Sequence, residues 1–228
     1  MQGLIGPLKE LAEFEELCKN KKKDVGMIRV CGCVNSQKSH MMYALGDGCK
    51  YKVIACSSET KAKQIYEEYR FLDSNTYLYP AKDFLFYQAD IRSKELVKQR
   101  MEGIQAVLSG EPVTVVTSLD GFMDHLAPKE SIAEKVLKIQ NDSVLKLDEM
   151  AEKLSVIGYD REVQVEGPGQ FAVRGGILDI YPLTEELPVR IELWGDEVDS
   201  IRTFDLESQR SIEQLDEIDI YPATEIVL

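Results

Sequence analysis

The chain has 228 residues, 44% of them hydrophobic and 29% charged, with 40 acidic against 27 basic side chains and a net charge of −13. That balance suits a globular protein of one large or two ordinary domains. No apolar stretch reaches the roughly 20 residues of a membrane-spanning helix. The acidic, amphipathic start MQGLIGPLKELAEFEEL is unlike a secretory signal.

The charge is unevenly placed. Residues 1–135 carry 19 basic and 19 acidic side chains, whereas 136–221 carry 8 and 20. Affinity for nucleic acid comes largely from cations that neutralise phosphates. The second segment is therefore poorly suited to nucleic acid, and a protein partner is expected. The five cysteines (18, 31, 33, 49, 56) are odd in number and fit no zinc spacing. They are expected to be buried, reduced thiols of a cytoplasmic protein.

In chain order, Leu8, Leu11, Phe14 and Leu17–Cys18 recur at helical spacing after Pro7, a residue suited to a first turn. MIRVCGC (27–33) predicts a short buried strand, SQKSHMMYAL a helix, and Gly46-Asp47-Gly48 its end. KVIACSS (52–58) predicts the next strand, and ETKAKQIYEEYRFL a helix. Leu96, Arg100/Met101, Ile104 and Leu108 align along a helix from about Ser93, stopped by Gly110 and Pro112. PVTVVTS lacks alternation, as expected of a strand covered on both faces. Strand–helix–strand repetition predicts a parallel sheet with helices on both faces.

After about residue 135 the pattern changes. KLDEMAEKLSVIGYD sets Leu147, Met150, Ala151 and Leu154 on one helical stripe, closed by Gly158. REVQVEG, QFAVRGG, ILDIYP, PVRIELWG and EVDSIRTF then alternate with period two, predicting an antiparallel meander beside a helix.

Three constellations bear on function. GCVNSQKSH (32–40) has Gly32, Lys38 and Ser39 where a phosphate-binding P-loop needs them, but Gln37 replaces the second glycine. A side chain there fills room the loop needs, and a positive φ would cost about 1–2 kcal/mol. VTVVTSLDG offers only Asp120 to order magnesium and water. The stretch predicts the outline of a nucleotide site without its chemistry. His40 and His125, the only histidines, belong to no catalytic or metal-binding pattern, so no catalytic residue and no metal ligand is assigned. The acidic side chains of 142–219 predict a solvated face.

The third constellation is a surface. Alternation in PVRIELWG puts Val189, Ile191 and Leu193 on one face and Arg190, Glu192 and Trp194 on the other. In QFAVRGG, Phe171 and Val173 fall inside, and Ala172 and Arg174 outside. Two arginines and the only tryptophan on the outer face of an acidic segment suit a protein interface. Equally, Trp194 could cover a sheet edge while the arginines pair with neighbouring acids.

GQFAVRGGILDIYP, PVRIELWGDEVDSIRTFDLESQRS and IDIYPATE resemble the UvrB-type interaction domain, in the form found near the N-terminus of bacterial transcription-repair coupling factors (Mfd). YPAKDFLFY, DIRSKELVKQRMEGI and VVTSLDGFMDHLAPK resemble that family too, so the similarity covers nearly the whole chain. The resemblance implies an α/β fold: a RecA-like, P-loop NTPase-type parallel-sheet lobe over 1–135 with its P-loop degenerate. An α+β interaction domain with an antiparallel sheet would occupy 136–221, and 222–228 would begin the return to the first lobe. It implies a non-catalytic fragment of a larger cytoplasmic parent, recruiting UvrA for transcription-coupled nucleotide excision repair through Arg174, Arg190 and Trp194. The rival implication is an ATP-binding, UvrB-like helicase lobe. The parent's ATP- and magnesium-dependent DNA translocase activity, and its contacts with RNA polymerase and DNA, would reside in regions outside this chain. The chain itself would hold no cofactor, meet the parent's other domains, and touch no membrane. FLFYQADIR is too short for UvrB's damage-gripping hairpin, so damage verification is not implied.

Overall fold

Residues 2–22, 26–82 and 90–225 are described by the computed structural model. FLFYQADIR therefore lies largely outside the described residues. The backbone divides into two compact units, Met1–Ala81 with Gly110–Met123, and Lys82–Ser109 with Asp124–Leu228.

In the first unit the amphipathic start forms two helices, α1 (Gln2–Lys9) and α2 (Ala12–Lys22), rather than one. Pro7 lies inside α1, not in a first turn. The Leu11 carbonyl accepts the N–H groups of Phe14 and Glu15, so the chain restarts there as a second helix. Ile5 and Phe14 pack with Ala44 of α3 (Asn35–Leu45). MIRVCGC does not form the expected buried strand. Residues 26–32 are exposed and irregular. An apolar run without a neighbouring strand has no ladder to satisfy its backbone.

Three parallel strands follow in the order β1 (Tyr51–Cys56), β3 (Val113–Ser118), β2 (Thr76–Tyr79). Ser58 caps α4 (Glu59–Tyr69) by accepting the Lys61 N–H. Ala62 and Ile65 of α4 bury against Val116, Ile54 and Leu78. The opposite face is barer than expected: Tyr51 and Val53 are exposed, and Tyr77 and Val115 half-buried. Among the described residues, this unit holds a small three-stranded parallel sheet and no larger one. Ser118 starts the short α6 (Leu119–Phe122), its hydroxyl accepting the Gly121 N–H. All five cysteines are free, but only Cys56 is buried and Cys31 is exposed.

The second unit begins with α5 (Asp90–Leu108), whose stripe buries Arg100, Met101 and Ile104. Buried arginine needs paired charge. Arg100 donates to Asp124 at 2.8 Å and to Glu225, which Lys82 also contacts at 2.7 Å. After α7 (Lys129–Ala133), β4 (Leu137–Gln140) pairs antiparallel with β11 (Glu217–Ile220). The stripe on α8 (Leu147–Val156) buries Met150, Ala151 and Leu154. Gly158 ends that helix at φ +96°, where a Cβ would lie 2.6 Å from a Thr224 methyl.

Six strands make the main sheet, in the order β10 (Ser211–Leu215), β9 (Glu197–Phe204), β8 (Val189–Trp194), β7 (Ile177–Tyr181), β6 (Gln170–Arg174), β5 (Asp160–Arg161). The sheet is antiparallel except where β5 runs parallel to β6. REVQVEG was expected as a strand throughout, yet only its first residue falls in β5; Val163 is exposed and Val165 buried. Phe171, Leu178, Ile180, Val189, Ile191, Val198 and Ile201 close one face over α8.

Candidate protein-docking site

The other face of this sheet is built in rows, because residues opposite one another on paired strands share a side. One row reads Ala172, Asp179, Arg190, Arg202 across β6 to β9. The next reads Arg174, Ile177, Glu192, Ser200. A bulge in β9 then inserts Asp199, so Leu193 pairs with Val198 and Trp194 with Glu197. Gly195, at φ +66°, is the first central residue of the two-residue turn joining β8 to β9, where a type II′ hairpin wants glycine.

Arg174, Arg190 and Trp194 all lie on this outer face, as alternation predicts, but they are not equally open. Trp194 is 85% exposed. Arg174 keeps 44% of its side-chain surface, Arg190 only 14%. Residues 205–210 cover Arg190. Its Nη2 donates to Gln209 Oε1 at 2.8 Å, and its guanidinium lies 4.4 Å from the Phe204 ring centre. Gln209 sits at φ +59°, and Asp205 holds the loop by accepting the Ser208 N–H and hydroxyl at 2.8 and 2.6 Å. Arg190 is thus on the outer face but largely covered, and both arginines pair with a neighbouring acid, Asp179, as the alternative reading of the sequence held.

Asp179 organises the pair. Its carboxylate is buried and accepts Arg174 Nη2 at 2.6 Å, Arg190 Nε at 2.7 Å and Arg190 Nη2 at 3.0 Å. The hydrogen bonds to Asp179 raise the Arg190 guanidinium above its ordinary value, against the opposing effect of burial. Further along, Arg202 pairs with Glu192. Arg174, bound to Asp179 through one nitrogen, keeps donors facing water; Trp194 presents an uncovered indole. A guanidinium and an exposed indole on one face can engage a carboxylate and fill an apolar cleft.

The nucleotide-like stretch is arranged differently. Helix α3 already begins at Asn35, so Gln37, Lys38 and Ser39 stand inside it. Gln37 Oε1 accepts the Val34 N–H at 3.3 Å, closing the turn where a phosphate would need free donors. Lys38 Nζ donates to Asn35 Oδ1 at 3.1 Å, and the buried Ser39 hydroxyl to Glu68 at 2.8 Å. The Ser39 and Gln64 hydrogen bonds hold Glu68 below the usual carboxylate range. Gly32, at φ +86°, precedes the helix in exposed backbone. Ser39, His40, Glu67 and Glu68 line a cavity of about 750 Å³ whose carboxylates would repel phosphate.

Residues 137–226 match the family model of the UvrB interaction domain. They form a UvrB interaction domain. The whole chain is also similar to transcription-repair-coupling factors. It is 33% identical to that of Bacillus subtilis (strain 168) over 224 residues, 97% of this chain and 19% of that protein. With the Staphylococcus epidermidis RP62A protein it shares 36% identity over 156 residues, 68% of this chain and 13% of the relative. With the Staphylococcus aureus Mu50 protein it shares 34% over 160 residues, 70% and 14%. The chain thus spans no more than about a fifth of the length of these curated relatives.

Arg174, Arg190 and Trp194 fall within the UvrB interaction domain, as does Asp179. Sequence reasoning passed over Asp179, although a lone acid within ILDIYP carried a signal. An aspartate is almost never fully buried unless paired. His40, on α3, and His125, exposed after α6, both lie outside the domain. Among the described residues, no group of three or more His, Cys, Asp or Glu side chains could hold a metal ion. No described helix is long and apolar enough to cross a membrane.

Proposed function

We propose that this chain is a recruitment module of transcription-coupled nucleotide excision repair, and that its UvrB interaction domain docks UvrA. Arg174 and Trp194 make the direct contacts; Arg190, held by Asp179 and Gln209, completes the charged half of the surface. The observation that carries this reading is Trp194, 85% exposed on the ordered outer face of the matched domain. Large aromatic and arginine side chains dominate binding energy at protein interfaces, and truncating one costs about 2 kcal/mol or more. Calorimetric titration of purified UvrA should therefore show at least roughly tenfold weaker binding for Trp194→Ala and Arg174→Ala, with unchanged circular dichroism. Parental affinity in both variants would refute the assignment.

The same proposal makes residues 1–135 a RecA-like lobe without catalytic function, 136–221 the docking domain, and 222–228 a return segment. Supporting it are the parallel three-stranded sheet, the Gln37 side chain closing the turn before α3, and the carboxylates beside Ser39. A fluorescent ATP analogue titrated with magnesium should show no saturable binding; a micromolar isotherm would return the chain to the ATP-binding class. Any ATP-driven translocation, and any contact with RNA polymerase or DNA, is assigned to the remainder of a longer parent.

A further inference from the structure

Trp194 is not the only apolar side chain left bare at this corner of the sheet. Residues 142–145 add themselves beside the start of β9. The Asp142 N–H donates to the Val198 carbonyl at 3.0 Å, Val198 N–H to Ser143 at 2.9 Å, and Leu145 N–H to Asp196 at 2.7 Å. Asp142, at φ +61°, turns the chain into this position. Leu145 then points into the core, while Val144 pairs with Glu197 and is 78% exposed. Since Glu197 also pairs with Trp194, one row reads Trp194, Glu197, Val144 on the docking face. Neighbouring side chains in such a row stand about 5 Å apart, so the indole and the isopropyl group bracket one carboxylate within about 10 Å.

The charge at the centre of the row is open. Glu192 is neutralised by Arg202, but among the described residues Glu197 has no ion-pair partner. Nothing in the fold requires an exposed valine on a marginal strand, a position where polar side chains ordinarily blunt unwanted pairing. A partner that covers both apolar groups must also strip water from Glu197, and an unpaired charge taken from water is costly.

We propose that the docking surface extends from Trp194 across Glu197 to Val144, and that the partner meets it with an apolar cleft carrying a lysine or arginine. This rests on the docking of UvrA proposed above, with which the row is continuous. Arg174 calls for an acidic group on the partner; Glu197 calls for a basic one a few residues' width away. The partner surface is therefore of mixed charge around an apolar centre, rather than uniformly acidic.

The test is calorimetric titration of purified UvrA with the whole chain. Val144→Asp should bind about tenfold more weakly, the scale of a lost interface anchor. Glu197→Lys should also bind several-fold more weakly, with a reversed response to added salt. Val156→Asp, equally exposed but on α8, should bind as the parent does. Val144→Thr, nearly isosteric and compatible with a strand, gives a smaller loss of the same sign should the aspartate variant fail to fold. Parental affinity in Val144→Asp and Glu197→Lys, with Trp194→Ala still weakened, overturns the extension and leaves the docking reading intact. Parental affinity in Trp194→Ala and Arg174→Ala as well, or no binding by the parent chain, overturns both. Equal losses in Val144→Asp and Val156→Asp also overturn the extension, since the loss would then follow from added negative charge wherever it is placed.

Discussion

The Asp179–Arg190 pair offers a direct measurement of what holds the proposed docking face together. Asp179 accepts three guanidinium hydrogen bonds, two of them from Arg190 at 2.7 and 3.0 Å. A hydrogen bond to a charged group contributes about 1.5–3 kcal/mol. The Arg174 bond, on a half-exposed side chain, is expected to contribute under about 1 kcal/mol. Asp179→Ala leaves Arg190, mostly covered, with Gln209 and the Phe204 ring, and should cost about 3 kcal/mol. Arg190→Ala leaves the buried carboxylate with Arg174 alone and should cost a similar amount. The double variant removes both charges together, so its loss should fall short of the sum by about 2–3 kcal/mol. Equilibrium urea denaturation of the four proteins, followed by far-ultraviolet circular dichroism, reads this coupling. Tryptophan fluorescence is a poor probe because Trp194 is already exposed. Additivity within about 0.5 kcal/mol would refute the role given to Asp179.

Three other outcomes follow from the packing. Gly158→Ala should destabilise by at least about 1–2 kcal/mol in urea, because its φ is left-handed and the added methyl meets Thr224. Arg100→Met should cost about 3 kcal/mol or more, since Asp124 loses its guanidinium partner and Glu225 keeps only its contact with Lys82; Asp124→Asn in the same chain should recover part of the loss. Burial pushes the Tyr69 phenol from 10.0 up to about 12, so folding favours its neutral form. That contribution is complete below pH 10 and is lost as the pH rises from 10 towards 12. Melting temperatures across that window should fall less in Tyr69→Phe than in the parent.

Alternation, helical stripes and turn residues reach as far as neighbours along the chain reach. They place Leu154 and its companions under the sheet and set Phe171, Val189 and Ile191 inward. They also set Arg174, Arg190 and Trp194 outward, because a pleated strand leaves no other choice. They could not decide the fate of MIRVCGC: an apolar run becomes a strand only where it pairs with another, and the irregular residues 26–32 pair with none of the described strands. Nor could they foresee the parallel pairing of β5, or the bare face beside Val53.

At the proposed docking face the sequence determined which side each residue takes, since that depends on local pleat alone. The tertiary structure decided how open each one is. Residues 205–210 fold back over Arg190, and 142–145 carry Val144 to the row of Trp194, through hydrogen bonds that join segments far apart in the chain. Burial and adjacency across strands are properties of pairing and register, and a single strand read by itself contains neither.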